Sequence, residues 1–408
     1  MITDHNVYKD LIQKNESKIV LLVMDGLGGL PLDTTGLTEL ESAYTPNLDR
    51  LAREGSCGRS IPVRPGITPG SGPAHLSLFS YDPVRFDIGR GVLEALGIGF
   101  ELGPNDLAAR GNFATVDADG LILDRRAGRI STEECVRLCE KLQANTSLED
   151  EGYDVFVRPV KEHRFVLVIR GAGLGGELTE TDPLVTGKPP LAVRDESGTP
   201  EGAHTAALVN KWIDQARAVL KDEPRANSLN LRGLAKDPGL PSFAAMYGMR
   251  AAAIAVYPMY KGVARLVGME VIPFEGDRPH HEIAALARVW NDYDFFFIHI
   301  KKTDSYGEDG NFEAKVHEIE AVDAVVPDIL ALKPDVLIVT GDHSTPARLR
   351  SHSYHPVPTL FWGPNVMPDS VETFGERACE RGALGIFHAT EMVPWALGYS
   401  DRLARFGA

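Results

Sequence analysis

Long apolar runs punctuate this chain, and three of them end in the same way. Ile19-Val20-Leu21-Leu22-Val23-Met24 is apolar throughout, as a strand buried on both faces must be, and it ends in Asp25-Gly26. Phe295-Phe296-Phe297-Ile298-His299-Ile300 runs into Lys301-Lys302-Thr303-Asp304. Val336-Leu337-Ile338-Val339 runs into Thr340-Gly341-Asp342-His343-Ser344-Thr345-Pro346. Open α/β sheets place ligands at the carboxyl edge of their strands, so these three aspartates are expected to meet there. One strand ending in Asp is common and carries little. Three of them, joined by His343 and later by His352, point to a polynuclear metal site.

Between these strands the pattern changes. Thr45-Pro46-Asn47-Leu48 reads as a helix start, with Thr45 as N-cap and Pro46 at the first helical position. From about Ala109 the runs shorten and alternate. Phe113-Ala114-Thr115-Val116-Asp117 and Leu121-Ile122-Leu123-Asp124 predict a hairpin, and Phe156-Val157-Arg158-Pro159-Val160 with Arg164-Phe165-Val166-Leu167-Val168-Ile169 a second. Helices are expected over 131–143 and about 204–220. Strand and helix then alternate to the end. The Asp-bearing strands flank this middle segment, which predicts an α/β core of mostly parallel sheet (residues 1–108 and 226–408) carrying an inserted α+β domain (109–225) on two hinges. Gly171-Ala172-Gly173-Leu174-Gly175-Gly176 matches a dinucleotide fingerprint in letters only, since no helical period follows it. Gly187-Lys188 lacks the Ser/Thr of a phosphate-binding loop. Both are expected to be plain loops.

Composition narrows the class. The 408 residues suit two domains, and 43% hydrophobic with 24% charged residues is ordinary for a water-soluble fold. The opening Met1-Ile2-Thr3-Asp4-His5-Asn6 is polar and predicts no signal peptide. No apolar run reaches bilayer-spanning length, so no membrane partner is expected. Cys57, Cys135, Cys139 and Cys379 form no CxxC pair, and Cys135 and Cys139 sit one helical turn apart as packing residues. A reduced, cytoplasmic setting follows. The net charge of −15 argues against nucleic acid. A small anionic substrate needs only a local basic pocket, and Asp124-Arg125-Arg126-Ala127-Gly128-Arg129 offers one.

A nucleophile is available in the turn Pro69-Gly70-Ser71-Gly72-Pro73-Ala74-His75, where two glycines let a bulky group approach the Ser71 hydroxyl. Serine needs a base or a metal to activate it. His75 is the turn's own titratable group and is counted among the residues facing the substrate. Metal activation fits the Asp/His set better. Asp304 and Glu308 add carboxylates, and Ser351-His352-Ser353-Tyr354-His355 adds imidazoles. Carboxylate with imidazole suits Mn2+ first, with Zn2+ and Mg2+ as alternatives. Two such ions about 4 Å apart can clamp an in-line phosphoryl displacement.

At this point the chain resembles a known family. Asp25-Gly26, TPNLDRLAREG (45–55), PGSGPAHL (69–76), YKGVARLVGM (260–269), TDSYGEDGNFEAKVHEIEAVD (303–323), TGDHSTP (340–346) and HSYHPVP (352–358) occur in the order seen in cofactor-independent phosphoglycerate mutases. The likeness is to the short archaeal-type branch, within the alkaline phosphatase superfamily. RGNFATVD, DRRAGRI, HRFVLVIRG and TDPLVTGKPP extend it through the middle segment. The resemblance implies an alkaline-phosphatase-like α/β core with an inserted lid. It also implies interconversion of 3-phosphoglycerate and 2-phosphoglycerate, a glycolytic and gluconeogenic step, without 2,3-bisphosphoglycerate. Asp25, Ser71, Asp342 and His343 match the ligands of one ion, with Ser71 also the residue that becomes phosphoserine. Asp304 and His352 match ligands of the other ion. Lys261 is similar to the family lysine that balances phosphate charge. Arg125, Arg126 and Arg129 fall in the lid's grip on substrate carboxylate and phosphate.

Two positions depart from the family pattern. Glu308 stands where the family has His, and Gly72 stands where an acidic residue usually follows the nucleophile. These departures leave two other readings open. One is a metal-dependent phosphotransferase or phosphohydrolase of the same superfamily acting on another small substrate, such as a homoserine kinase-like or phosphonate-processing enzyme. The other is a silent metal-binding relative, against which the retained serine, lysine and three aspartates speak.

Overall fold

The computed structural model describes residues 5–407, with the side chains of His5 and Asn6 left out. The polar residues 1–4, which carry most of the signal-peptide expectation, lie outside them. The strands are β1 (Ile19–Met24), β2 (Ser56–Ile61), β3 (Asp106–Val116), β4 (Ile122–Asp124), β5 (Asp154–Lys161), β6 (Arg164–Arg170) and β7 (Ser228–Lys236). They continue as β8 (Ala251–Ala255), β9 (Glu270–Val271), β10 (Phe295–Ile300), β11 (Val336–Thr340), β12 (Val357–Trp362) and β13 (Gly385–His388). The chain divides into two compact units, Met1–Asp87 with Leu240–Ala408, and Ile88–Gly239.

The first unit is built on an eight-stranded sheet of order β13-β2-β12-β11-β1-β10-β8-β9. β11, β1, β10, β8 and β9 run parallel, as the α/β expectation requires, while β12 runs antiparallel to both β11 and β2. Every residue of β1, β8, β10 and β11 is buried, which explains their uninterrupted apolar sequences. The register then fixes the site: Met24 pairs with Ile300, and Val23 with Thr340. Asp25, Lys301 and Gly341 therefore leave the sheet at one edge. Leu22, Ile298, Val339, Ile319 and Val322 lie in the core cluster beneath it, where truncation to alanine costs about 2–5 kcal/mol per side chain.

The second unit is an antiparallel sheet of five strands, with β3 at its centre between β6 and β7. Leu107, Ala109, Phe113, Phe165, Leu167, Leu229 and Leu231 pack on the helices Thr132–Asn145 and Pro200–Leu220. Side chains alternate across a strand, so Arg110, Asn112, Arg164 and Arg232 project from the opposite face. Cys135 and Cys139 are buried free thiols in the helix packing, as expected. Gly171–Gly176 and Gly187-Lys188 lie outside any helix or strand.

Several sequence expectations shift. The units part at 87/88 and 239/240, not at 108/109 and 225/226. β3 begins at Asp106, and β7 pairs with it from Leu107↔Lys236 to Ala114↔Ser228, so the narrower boundaries would cut one strand and strip away its partner. The helix expected from 204 starts at Pro200, capped by Thr199, whose hydroxyl accepts the Gly202 N–H at 3.0 Å. Thr45 precedes the helix Pro46–Glu54 but makes no capping bond. Asp323, from another helix, accepts the Leu48 N–H at 2.7 Å instead. Ser71 does not sit in a free turn: it is the first residue of the helix Ser71–Leu78. Among the described residues no helix is long and apolar enough to cross a membrane.

Candidate metal centre

All the candidate ligands and the serine belong to the first unit. Asp25 follows β1, Asp304 lies in the helix Lys302–Asp309 after β10, and Asp342 and His343 follow β11. Gly26 makes the β1 turn possible. It has φ +64°, and a Cβ there would come 2.5 Å from Thr345 Oγ1 and 2.8 Å from Asp304 Oδ1. His352 arrives on the following loop, and its ring stacks on His343 with centroids 3.6 Å apart. His343 Nε2 lies 3.3 Å from Asp25 Oδ1, 3.1 Å from Asp342 Oδ2 and 3.3 Å from Ser71 Oγ. Asp25, Asp342, His343 and Ser71 thus form one group.

The ligand atoms of Asp304, His343 and His352 also lie within 4.8 Å of one another. His343 Nδ1, however, is engaged by Thr345 Oγ1 at 2.9 Å, so His343 offers its free nitrogen to the first group. The second group then rests on Asp304 and His352, whose Nε2 lies 3.6 Å from Asp304 Oδ1. Glu308 stands 3.7 Å from His352 Nε2 with 53% of its side chain exposed, outside both tight clusters.

The donor chemistry fits divalent cations. Asp25 Oδ1 and Asp342 Oδ2 are buried and have no hydrogen-bond partner. Leaving such an atom unsatisfied costs about 1–3 kcal/mol, more when it is charged, and a cation between these oxygens removes that cost. Burial works against the charge of Asp25, yet Lys301, His299 and His343 together hold its carboxyl well below the usual range. Burial also opposes a charged His343, but Asp342 and Asp25 raise it to about 9.

Four residues complete the centre that the sequence pattern did not single out. Lys301 Nζ donates to Asp25 Oδ2 at 3.0 Å and to Asp304 Oδ2 at 2.6 Å, joining the two groups. Burial disfavours that ammonium, but the two carboxylates hold its pKa above the ordinary lysine value. It also lies 3.1 Å from the Tyr260 hydroxyl. His299 Nε2 is 3.3 Å from Asp25 Oδ2, and Thr345 Oγ1 is 2.6 Å from Asp304 Oδ1. The signals were present: His299 interrupts an apolar strand, and Lys301 leaves β10 at the same edge as Asp25.

His75, expected among the residues facing the substrate, is fully buried among Phe79, Tyr260, Phe297 and His299. Its Nδ1–H donates to the Ser71 carbonyl at 2.7 Å, and burial lowers its pKa to about 4. It is a neutral prop under the serine. Lys261 lies on the helix Pro258–Leu266 beside Tyr260, and its ammonium has no hydrogen-bond or ion-pair partner among the described residues.

The arginines lie in the second unit, around a basin of about 390 Å3 lined by six arginines, Lys161, Asn112, Glu162 and His163. Arg110, Arg164 and Arg232 were not singled out from the sequence; the period-two alternation on β3, β6 and β7 was the available signal. Arg125 differs from its neighbours. It is bonded through Nε and Nη2 to Asp182 at 2.8 and 2.7 Å, and that carboxylate is buried. Arg126 and Arg129 are exposed, with their guanidinium groups unpaired among the described residues.

A mostly parallel sheet that gathers a helix-borne serine, three aspartates and two histidines at one edge defines an α/β enzyme with an acidic, cation-accepting centre. The sequence profile of the 2,3-bisphosphoglycerate-independent phosphoglycerate mutases matches residues 52–226. The chain is 51% identical over 410 residues, all of both chains, to a probable 2,3-bisphosphoglycerate-independent phosphoglycerate mutase of Thermosipho africanus. It is likewise 51% identical to one of Thermus thermophilus, over 98% of this chain and 99% of that one. Among solved structures, the cofactor-independent phosphoglycerate mutase of Thermoplasma acidophilum is 32% identical with a TM-score of 0.75, over 94% of this chain and 100% of that one. A Pyrococcus horikoshii protein is 31% identical with a TM-score of 0.78, over 97% and 100%. The chain belongs to the 2,3-bisphosphoglycerate-independent phosphoglycerate mutase family.

Proposed function

We propose that this enzyme interconverts 3-phosphoglycerate and 2-phosphoglycerate by passing the phosphoryl group through Ser71. The observation that carries this reading is the placement of Ser71 Oγ at a helix N-terminus, 3.3 Å from His343 Nε2, which itself lies 3.3 Å from Asp25 Oδ1 and 3.1 Å from Asp342 Oδ2. A helix N-terminus favours the negative charge that arrives with a phosphoryl group. Asp25, Asp342 and His343 would hold one divalent cation, and Asp304 and His352 with Glu308 alongside a second; bound there, such ions would lower the pKa of the serine hydroxyl and offset the charge of the phosphoryl oxygens.

In the forward direction Ser71 Oγ attacks phosphorus, and the bond from phosphorus to the C3 oxygen of 3-phosphoglycerate breaks. The leaving C3 oxygen takes up the proton that the Ser71 hydroxyl gave up, and glycerate is released into the site and reorients. Its C2 hydroxyl then attacks the phosphoserine, the bond from phosphorus to Ser71 Oγ breaks, and the C2 hydroxyl proton returns to Ser71 as 2-phosphoglycerate forms. Lys301 holds Asp25 and Asp304 in place throughout, and His75 fixes the backbone of the serine. Lys261 supplies a free ammonium for the phosphoryl charge. Arg126 and Arg129 bind the substrate carboxylate. Retaining glycerate and excluding water during the exchange is what separates a mutase from a phosphatase.

The test follows 2-phosphoglycerate and inorganic phosphate together after 3-phosphoglycerate is added to the Mn2+-loaded enzyme. 2-Phosphoglycerate in large excess supports the mutase reading. Inorganic phosphate as the main product replaces it with a phosphohydrolase.

A further inference from the structure

Thr345 lies where the two groups of candidate ligands meet. Its Oγ1 is 2.6 Å from Asp304 Oδ1 and 2.9 Å from His343 Nδ1, and the residue is fully buried. The proton count in this short chain has one solution. The Asp304 carboxylate, which also accepts from Lys301, can only accept, so the single hydroxyl hydrogen goes to it. The Nδ1–H of His343 must then be donated to the hydroxyl oxygen. With Nδ1 donating to the hydroxyl, the ring keeps Nε2 directed toward Ser71, Asp25 and Asp342, where a bound ion would take the Nε2 lone pair in place of a proton. The same hydroxyl thus fixes the tautomer of a ligand in one group and the rotamer of a ligand in the other.

The backbone around Thr345 is held as firmly as its side chain. Its N–H is shared between the carbonyls of Gly26 and Gly28 at 3.2 and 3.0 Å, and its carbonyl accepts from Lys315 Nζ at 2.9 Å. A Cβ on Gly307 would come 2.3 Å from that carbonyl, so the Asp304-bearing helix packs directly against it. The neighbouring Ser344 cannot take over, because its hydroxyl donates to the His355 carbonyl at 3.0 Å.

We propose that Thr345 is a positioning residue that couples the two ion sites through its hydroxyl. The proposal rests on the two-ion reading above. Its test is a calorimetric titration of Mn2+ into the ion-stripped full-length enzyme, for wild type, Thr345→Val and Thr345→Ser, with the ion-free melting midpoint measured beside it. Valine keeps the shape and removes the hydroxyl; serine keeps the hydroxyl. The expected result is two ions per wild-type chain, both binding steps weakened about ten- to a hundredfold in the valine variant, and recovery to within about threefold in the serine variant. If the valine variant does not fold, Thr345→Ala makes the same comparison. Wild-type affinity in a variant lacking the hydroxyl overturns the proposal, and so does a serine variant as weak as the valine one. A wild-type chain that takes up no Mn2+ overturns the two-ion reading itself.

Discussion

Lys315 Nζ donates to the Thr345 carbonyl at 2.9 Å from a fully buried position on the helix Phe312–Ala331. Its other hydrogens go to the carbonyls of Gly26 and Gly28 at 2.8 and 3.2 Å. One ammonium therefore ties the loop after Asp25 to the loop after His343. Lys315→Met leaves the Thr345 carbonyl without its Lys315 donor, at about 1–3 kcal/mol before relaxation, and leaves the Gly26 and Gly28 carbonyls with the shared Thr345 N–H alone. The expected outcome is a lower denaturation midpoint together with reduced kcat, although Lys315 touches no substrate. Urea unfolding and steady-state kinetics on the same samples check it, and an unchanged midpoint contradicts it.

Arg125 and Arg126 are neighbours in different surroundings. Arg125 neutralises buried Asp182, whereas the Arg126 and Arg129 side chains are exposed beside the basin. Arg126→Ala or Arg129→Ala should raise KM for 3-phosphoglycerate about tenfold at unchanged melting temperature, the scale of one lost charged hydrogen bond. Arg125→Ala should lower the melting temperature, because it strands a buried carboxylate. Kinetics and calorimetry of the three variants separate the two roles.

Glu308 adds a carboxylate where its relatives are expected to carry an imidazole. An oxygen-rich set favours harder ions. Glu308→His is predicted to shift the ion preference of the activity away from Mg2+ and toward Mn2+ or Zn2+ relative to wild type. Activity titrated against each ion for wild type, Glu308→His and Glu308→Ala checks this. Identical profiles in all three would remove Glu308 from the ligand set, in keeping with its 53% exposure.

Glu376 accepts from the Gly29 N–H at 2.8 Å and the Thr38 hydroxyl at 2.5 Å, next to the turn that follows Asp25. Burial raises its pKa to about 7, from an ordinary value of 4.5, against the partial opposition of those two donors. The folded chain then binds more protons than the unfolded chain between the two values. Its contribution to stability is fully present below about 4.5 and is lost as pH rises through about 7. The stability difference between wild type and Glu376→Gln should therefore change across that window and be flat above about pH 8. A constant difference from pH 5 to 8 contradicts this assignment.

Much of the centre was legible because a parallel register turns sequence position into spatial position. Three apolar strands ending in Asp had to share an edge, so Asp25, Asp304 and Asp342 could be brought together from the letters alone. What the letters lacked was depth. His75 looked available because it follows a glycine-rich turn, but that turn is a helix start, and the helix directs His75 into the core. Arg125 looked like its neighbours because only a contact 57 residues away, with Asp182, sets it apart. The unit boundary was misplaced for a related reason. β7 pairs with β3 across more than a hundred residues, and no local pattern announces that. The group around Asp304 and His352 is the looser of the two, with Glu308 exposed beside it.

The central claim is covalent transfer through Ser71, and the rate of conversion of 3-phosphoglycerate to 2-phosphoglycerate by Ser71→Ala tests it most directly. With Mn2+ saturating and folding confirmed by melting, the rate should fall by roughly 10⁴- to 10⁶-fold from wild type, the usual consequence of removing a covalent nucleophile. A variant that keeps more than about a tenth of the wild-type rate contradicts the mechanism, because no loss of that size is compatible with a phosphoserine at this residue.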